Sequence, residues 1–414
     1  MKVAYIYAGS WEFAYPQIHD DFDRRVWCES DDFIFKYPRA VMPFGVEPSL
    51  FYLSQRPVGV ETLTHKYGFP MRRIPVRFRA GRLNYEISGR LFEELERGDY
   101  DLFHFYSYYR DRLYPDMFDL FALYCRLRAR PFVTHYQVGE FPRVYTGGRL
   151  KILALQPRRL LKAWALRSAR RIFSLNRREI GCLTDPQDPD FCGFAIKPDR
   201  CVYLPNIVDQ TLFHPMDRAE ARRQVGADGT RKIVLYVGFL RREKGIQHAI
   251  GILPELLRRW PDLELWLVGN GDYEAPLREL ARKLNVSTHL VFAGPIENNR
   301  LRPYYAMADA HVLPSYSESF GSVLIEAMAC GVPSIGSAVG GIPEVLSGGA
   351  GILVPPRDER ALAAAVRLVL EGHFQIDPET RSAKLAEYSR DSAGAILERE
   401  YLACLNESSV RGAA

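Results

Sequence analysis

Short apolar runs recur along this chain, and most of them close in a polar or glycine-rich loop. Met1 to Tyr7 has the pattern of a buried strand, with Ala8-Gly9-Ser10 after it as a strand-to-helix loop. Asp101–Phe105 and Pro131–His135 are two more such runs. Between them Met117, Leu120, Leu123, Tyr124 and Leu127 repeat at helical spacing within 116–130. Further on, the runs 232–237, 263–268, 290–292, 310–313, 333–335 and 351–354 alternate with helical stretches at 247–260, 273–284 and 304–308. Alternation of strand and helix predicts an α/β fold with doubly wound parallel sheets. The stretch 381–405 predicts a closing amphipathic helix anchored by Leu385, Tyr388, Ala393, Ile396, Leu397 and Tyr401.

A chain of 414 residues is too long for one ordinary core. The turn-rich Pro205-Asn206-Ile207-Val208-Asp209 suits a domain crossing. The expected division is a first domain at 1–205, a second at 206–385, and a helical tail at 386–414. Two Rossmann-like units offer ligand sites beyond the carboxyl ends of their strands. A net charge of +5, from 55 basic against 50 acidic side chains, suits an anionic ligand and makes no case for nucleic acid. The seven cysteines contain no CxxC pair, so neither a zinc ribbon nor a disulfide framework is expected. With no signal-peptide pattern and no long apolar span, the expectation is a cytoplasmic protein.

The densest chemistry lies in "SYSESFGSVLIEAMACGVPSIGSAVGGIPEVLSGGAG", Ser315 to Gly351. Glu318 and Glu326 are separated by seven residues, with Phe320-Gly321-Ser322 between them opening a helix. Carboxylates there can accept hydrogen bonds from vicinal hydroxyls, and amides at a helix start face an anionic ligand. Gly340-Gly341 forms a further loop that lets backbone approach a ligand. In "VGFLRREKG" a glycine, Gly238, follows a strand, and Arg241, Arg242 and Lys244 supply the positive charge a phosphate needs.

These segments resemble glycosyltransferase family 4, retaining enzymes of the GT-B fold. The likeness is strongest from Pro205 to Pro356. It implies that Glu318 and the Phe320-Gly321-Ser322 backbone hold the donor sugar, that Glu326 holds the ribose, and that Lys244 neutralises the diphosphate. Phe239 stands where the family has an arginine, so Arg241 or Arg242 is the candidate for the second charge. The loop after 290–294, through Ile296, is where backbone reads the nucleobase in the family. His135 matches a family histidine that approaches the donor sugar; here it is expected to close its strand and face a cleft, while His104 packs internally. Gly9 is the one glycine left of the family's paired glycines after the first strand.

Retaining transfer of a hexose from a UDP- or GDP-sugar to a glycan, lipid-linked or small-molecule acceptor follows from the resemblance. So does the lack of any required cofactor or metal; no Asp-x-Asp is placed to hold a metal on a diphosphate. A nucleotide-sugar epimerase on the same fold, and a non-catalytic nucleotide-sugar-binding protein, are the alternatives, the second favoured by Phe239. The tract 149–178 holds many basic residues and no acidic one, with leucine, isoleucine and tryptophan at helical spacing. Such a helix can also lie on an anionic membrane.

Overall fold

The computed structural model describes residues 1–7, 28, 33–54, 59–76, 88–108, 116–137, 160–188, 191–227 and 229–412. It divides into two units, Met1–Ile207 with Arg390–Ala414, and Val208–Ser389.

Among the described residues the first unit has eight strands in the order β3-β4-β2-β1-β5-β6-β7-β8. They are β1 (Lys2–Tyr7), β2 (Glu47–Ser54), β3 (Glu61–Thr64), β4 (Pro70–Pro75), β5 (Leu102–Tyr108), β6 (Phe132–Gln137), β7 (Ile172–Ser174) and β8 (Cys201–Tyr203). Every pairing is parallel except β3 with β4. A sheet buried on both faces has no polar side to alternate with, which is why β1 reads as an unbroken apolar run. One face packs Leu91, Leu95, Phe118 and Phe121 from the helices Gly89–Arg97 and Met117–Leu127. The other packs Ile34, Tyr37 and Val41 of Phe33–Val41, together with Ala393, Leu397, Tyr401 and Cys404 of the last helix, Arg390–Gly412. Spacings of three and four residues put those last four on one stripe. Each fully buried large apolar side chain contributes about 1.5–3 kcal/mol.

The second unit is a six-stranded parallel sheet, again among the described residues, ordered β11-β10-β9-β12-β13-β14. Its strands are β9 (Ile233–Val237), β10 (Glu264–Val268), β11 (Leu290–Gly294), β12 (Ala310–Leu313), β13 (Ser334–Ser337) and β14 (Ile352–Val354). The strand order reverses beside β9, with β10 on one side and β12 on the other, and doubly wound sheets bind ligands at such a point.

Local sequence explains the departures from the expected helices. The 247–260 stretch is two helices, Ile246–Gly251 and Leu253–Leu257, because Pro254 lacks the N–H to carry one through. The closing helix is likewise two, Pro378–Glu387 and Arg390–Gly412. Between them the Tyr388 carbonyl accepts the Val208 N–H (3.0 Å) and its ring meets Phe320 edge-on, so the turn is held in the second unit. The strands β2, β3, β4, β7 and β8 are additions to the sequence reading.

Asp309, just before β12, is a buried anchor of the second unit. Its carboxylate accepts from Arg218 (3.0 Å), Arg222 (3.0 Å), Lys232 (3.3 Å) and the Ile233 N–H (2.9 Å), joining the helix Arg218–Val225 to β9. Asp309→Ala would take from the buried Arg222 guanidinium and from the Ile233 N–H the carboxylate they share. We expect a loss of about 3–5 kcal/mol in urea unfolding, whereas a loss under 1 kcal/mol would show the cluster to be ornamental.

Candidate functional site

Loops after β9, β10 and β12 meet at one end of the second sheet. Gly238, directly after β9, donates its N–H to the Val268 carbonyl at 3.0 Å, and Leu240 donates to Asn270 at 2.8 Å. Tyr236 turns its hydroxyl onto the Phe239 carbonyl at 2.8 Å, fixing the same loop from below. The next turn, Arg242–Lys244, is bonded to the segment after β12 through the Tyr316 N–H and the Glu243 carbonyl (2.8 Å). The Tyr316 hydroxyl also bonds Gln247 and His248 of the following helix.

Within this frame Lys244 Nζ donates to Glu318 Oε2 at 2.9 Å, and both side chains are mostly buried. Two residues 74 apart in sequence, each singled out by its own motif, therefore share one charge-assisted hydrogen bond. Two glycines make the arrangement possible. A Cβ on Gly245 would lie 1.9 Å from the Pro314 carbonyl oxygen, and one on Gly340 would lie 1.5 Å from that of Glu318. Neither contact admits a side chain.

Phe320 is buried and Gly321 is the N-cap of the helix Ser322–Ala329. Glu326 lies inside that helix, buried, and accepts from the Tyr305 hydroxyl at 2.8 Å. Tyr305 was not legible as a site residue, because nothing in "RPYYAM" distinguishes it from core. Arg241 and Arg242 are exposed, and Arg241 lies 5.1 Å above the ring of the exposed Phe239. Ile296 is half-buried two residues beyond β11. Gly9 lies outside the described residues.

His135 differs from its expected position. It does not close its strand, since Tyr136 and Gln137 continue β6, and its ring is buried beside Tyr37, Tyr106 and His104. Parallel neighbours β5 and β7 cover β6 on both edges, so a side chain two residues from the strand end still points into packed aromatics.

Several residues of the basic tract are tied within the first unit. Its helix, 160–168, buries Lys162 between Asp116 (2.9 Å) and Asp119 (3.0 Å). Arg167 donates to the Phe194 carbonyl, and Arg171 pairs with Glu400 and Glu407. Acidic residues far away in sequence thus partner Lys162 and Arg171. Residues 149–159 lie outside the described part. No helix among the described residues is long and apolar enough to cross a membrane.

Residues 217–391 match the family model for glycosyl transferases group 1. This segment is a group 1 glycosyltransferase domain. Similar sequences include a glycogen synthase of Mycobacterium tuberculosis, 41% identical over 152 residues, which are 36% of this chain and 37% of that protein. A D-inositol 3-phosphate glycosyltransferase of Acidothermus cellulolyticus is 35% identical over 188 residues, 43% of this chain and 42% of that protein. The chain thus spans roughly two fifths of the length of these curated relatives. Among solved structures, a sucrose-phosphate synthase from Thermosynechococcus elongatus superposes with a TM-score of 0.70 at 23% identity, covering 98% of this chain and 99% of that one. That likeness establishes the fold along the whole chain, two Rossmann-like domains of the GT-B kind. The group 1 domain coincides with the second unit, where the Lys244–Glu318 pair sits.

Two outcomes follow from this geometry. In Gly340→Ala the new methyl group would push the Glu318 carbonyl away, so the Lys244–Glu318 pair should open and the melting temperature fall; an unchanged melting temperature would show that the loop yields freely. Burial also holds His135 and His311 each down at about 3, and lowers His104 well below its usual range, the neighbouring His135 adding to the effect. A folded pKa lower than the unfolded one contributes stability that is present above about 6.5 and lost as pH falls. Between pH 7 and pH 5 His311 alone should cost the protein about 2 kcal/mol. His311→Gln should flatten the urea-unfolding profile over that window; equal slopes for variant and wild type would contradict a buried neutral histidine.

Proposed function

We propose that this chain is a retaining glycosyltransferase that moves a hexose from a UDP- or GDP-sugar to a glycan, lipid-linked or small-molecule acceptor. The observation that carries the reading is the Lys244–Glu318 pair, a cation and a carboxylate 2.9 Å apart where the sheet order reverses. The donor diphosphate takes over Lys244, and Glu318, released, accepts from sugar hydroxyls. Glu326, steadied by Tyr305, accepts from the ribose hydroxyls. Phe320, Gly321 and Ser322 contribute backbone amides, Gly238, whose own N–H is held by Val268, leaves the loop clear of a side chain, and Arg241 or Arg242 adds a second charge. Ile296 belongs to the loop that meets the base.

In the transfer the anomeric carbon–oxygen bond to the diphosphate breaks, and the acceptor oxygen bonds to that carbon on the same face. The acceptor proton leaves with the diphosphate oxygen. Lys244 and the amides stabilise the charge that develops on the leaving group, so the reaction needs no metal. Kinship with a glycogen synthase and a D-inositol 3-phosphate glycosyltransferase supports sugar transfer over epimerisation. Membrane contact through 149–178 is not part of this proposal, because Lys162, Arg167 and Arg171 bond within their own unit.

A thermal-shift panel of nucleoside diphosphates and nucleotide-sugars is the direct test. A ligand at 100 times its Kd should add about 2.7 kcal/mol of stability, and a response to none of them would overturn the reading. Glu326→Gln keeps an acceptor for Tyr305 but loses the charge. It should weaken nucleotide binding by about 1.5–3 kcal/mol, and wild-type affinity would remove Glu326 from the ribose.

A further inference from the structure

Tyr316 stands two residues before Glu318, and its side chain is held by two other segments of the second unit. Its N–H donates to the Glu243 carbonyl at 2.8 Å, inside the turn that ends on Lys244. Its hydroxyl bonds the side-chain nitrogen of Gln247 and Nε2 of His248, both on the helix Ile246–Gly251. The same Gln247 nitrogen lies 3.4 Å from the Arg242 carbonyl, so it touches the turn as well. The Arg357 guanidinium covers the Tyr316 ring, 4.5 Å from its centroid.

Behind His248 stands Glu359, the first residue of the helix Glu359–Leu370, with Oε1 2.7 Å from His248 Nδ1. Asp358 caps that helix through the Ala361 N–H at 2.9 Å, which fixes the turn that carries Glu359. Gly251 makes room, because a Cβ there would lie 2.8 Å from Glu359 Oε1. A carboxylate can only accept, so His248 Nδ1 carries the hydrogen and, in the neutral ring, Nε2 takes the Tyr316 O–H. Gln247 must then face the phenol oxygen with its NH2 group. Its Oε1 is left buried with no hydrogen-bond partner among the described residues. Arg357 meanwhile holds φ at +67°, in the left-handed region that a side chain rarely enters. A stranded acceptor and a strained arginine at one phenol are concessions that packing alone does not call for.

We propose that Tyr316 is a positioning residue for the donor site. Through Glu359 and His248 the helix after β14 sets the Tyr316 ring. Tyr316 in turn sets the spacing between the turn bearing Lys244 and the loop bearing Glu318. Its effect on a bound nucleotide rests on the sugar-transfer reading; the clamp itself does not.

Amide hydrogen exchange and nucleotide affinity, both on the full chain, decide it. Glu359→Leu removes the acceptor for His248 from a half-exposed position, so the fold should survive it. Exchange of the Tyr316 N–H should be several-fold faster in Glu359→Leu and in Tyr316→Phe than in wild type. His248→Gln, whose amide oxygen can take the Tyr316 O–H in place of Nε2, should keep wild-type exchange, and His248→Leu should not. With UDP and GDP as probes, whichever binds wild type should bind Tyr316→Phe and His248→Leu about tenfold more weakly. His248→Gln should bind it nearly as well as wild type. Wild-type exchange in Glu359→Leu and His248→Leu would overturn the clamp. Faster exchange with unchanged affinity would take Tyr316 out of donor positioning. If neither probe binds wild type, the sugar-transfer reading falls, while the exchange results still judge the clamp.

Discussion

The Lys244–Glu318 ion pair depends on backbone that comes closer than any side chain permits. Gly245 sits against the Pro314 carbonyl and Gly340 against that of Glu318, so the loops after β9, β12 and β13 pack main chain on main chain. Only then do a lysine and a glutamate from separate motifs reach 2.9 Å. Parallel pairing of β9 with β10 and β12 supplies the platform, because it delivers successive loops to the same end of the sheet. Charge is concentrated there in a form a diphosphate can use, since the lysine already has a carboxylate partner it can exchange.

The first unit solves a different problem. Its sheet buries many aromatic side chains and two histidines on neighbouring strands, whose polar atoms call for partners in place of water. Side chains from three strands and the last helix, Tyr5, His104, His135 and Tyr401, hydrogen-bond in a row there, with His135 Nε2 left over at its end among the described residues. The helix Arg390–Gly412 thereby does more than cover an apolar face, because Tyr401 closes a hydrogen-bond chain that β1, β5 and β6 cannot complete alone.

How much of this was legible in the sequence depended on range. The second sheet was, strand by strand, because parallel strands covered on both faces read as short apolar runs, and β9, β10 and β11 each close in glycine. Glu318, Glu326 and Lys244 were legible because short motifs carry them. Less visible were features set by distant partners: Tyr305 behind Glu326, the Asp116 and Asp119 carboxylates around Lys162, and the burial of His135 under Tyr37. In a tract with no acidic residue of its own, the partners of Lys162 and Arg171 stood far off, at 116, 119, 400 and 407. The short strands β7 and β8, of three residues each, leave too few positions for a period to show.

The central claim is that a nucleotide-sugar binds where the loops after β9 and β12 meet. Amide hydrogen exchange, with and without a saturating nucleotide-sugar, tests it most directly. The account predicts slowed exchange in 238–245 and 318–326, the segments that carry Gly238, Lys244, Glu318 and Glu326. Slowed exchange confined to other strands of either unit, with these two segments unchanged, would contradict it.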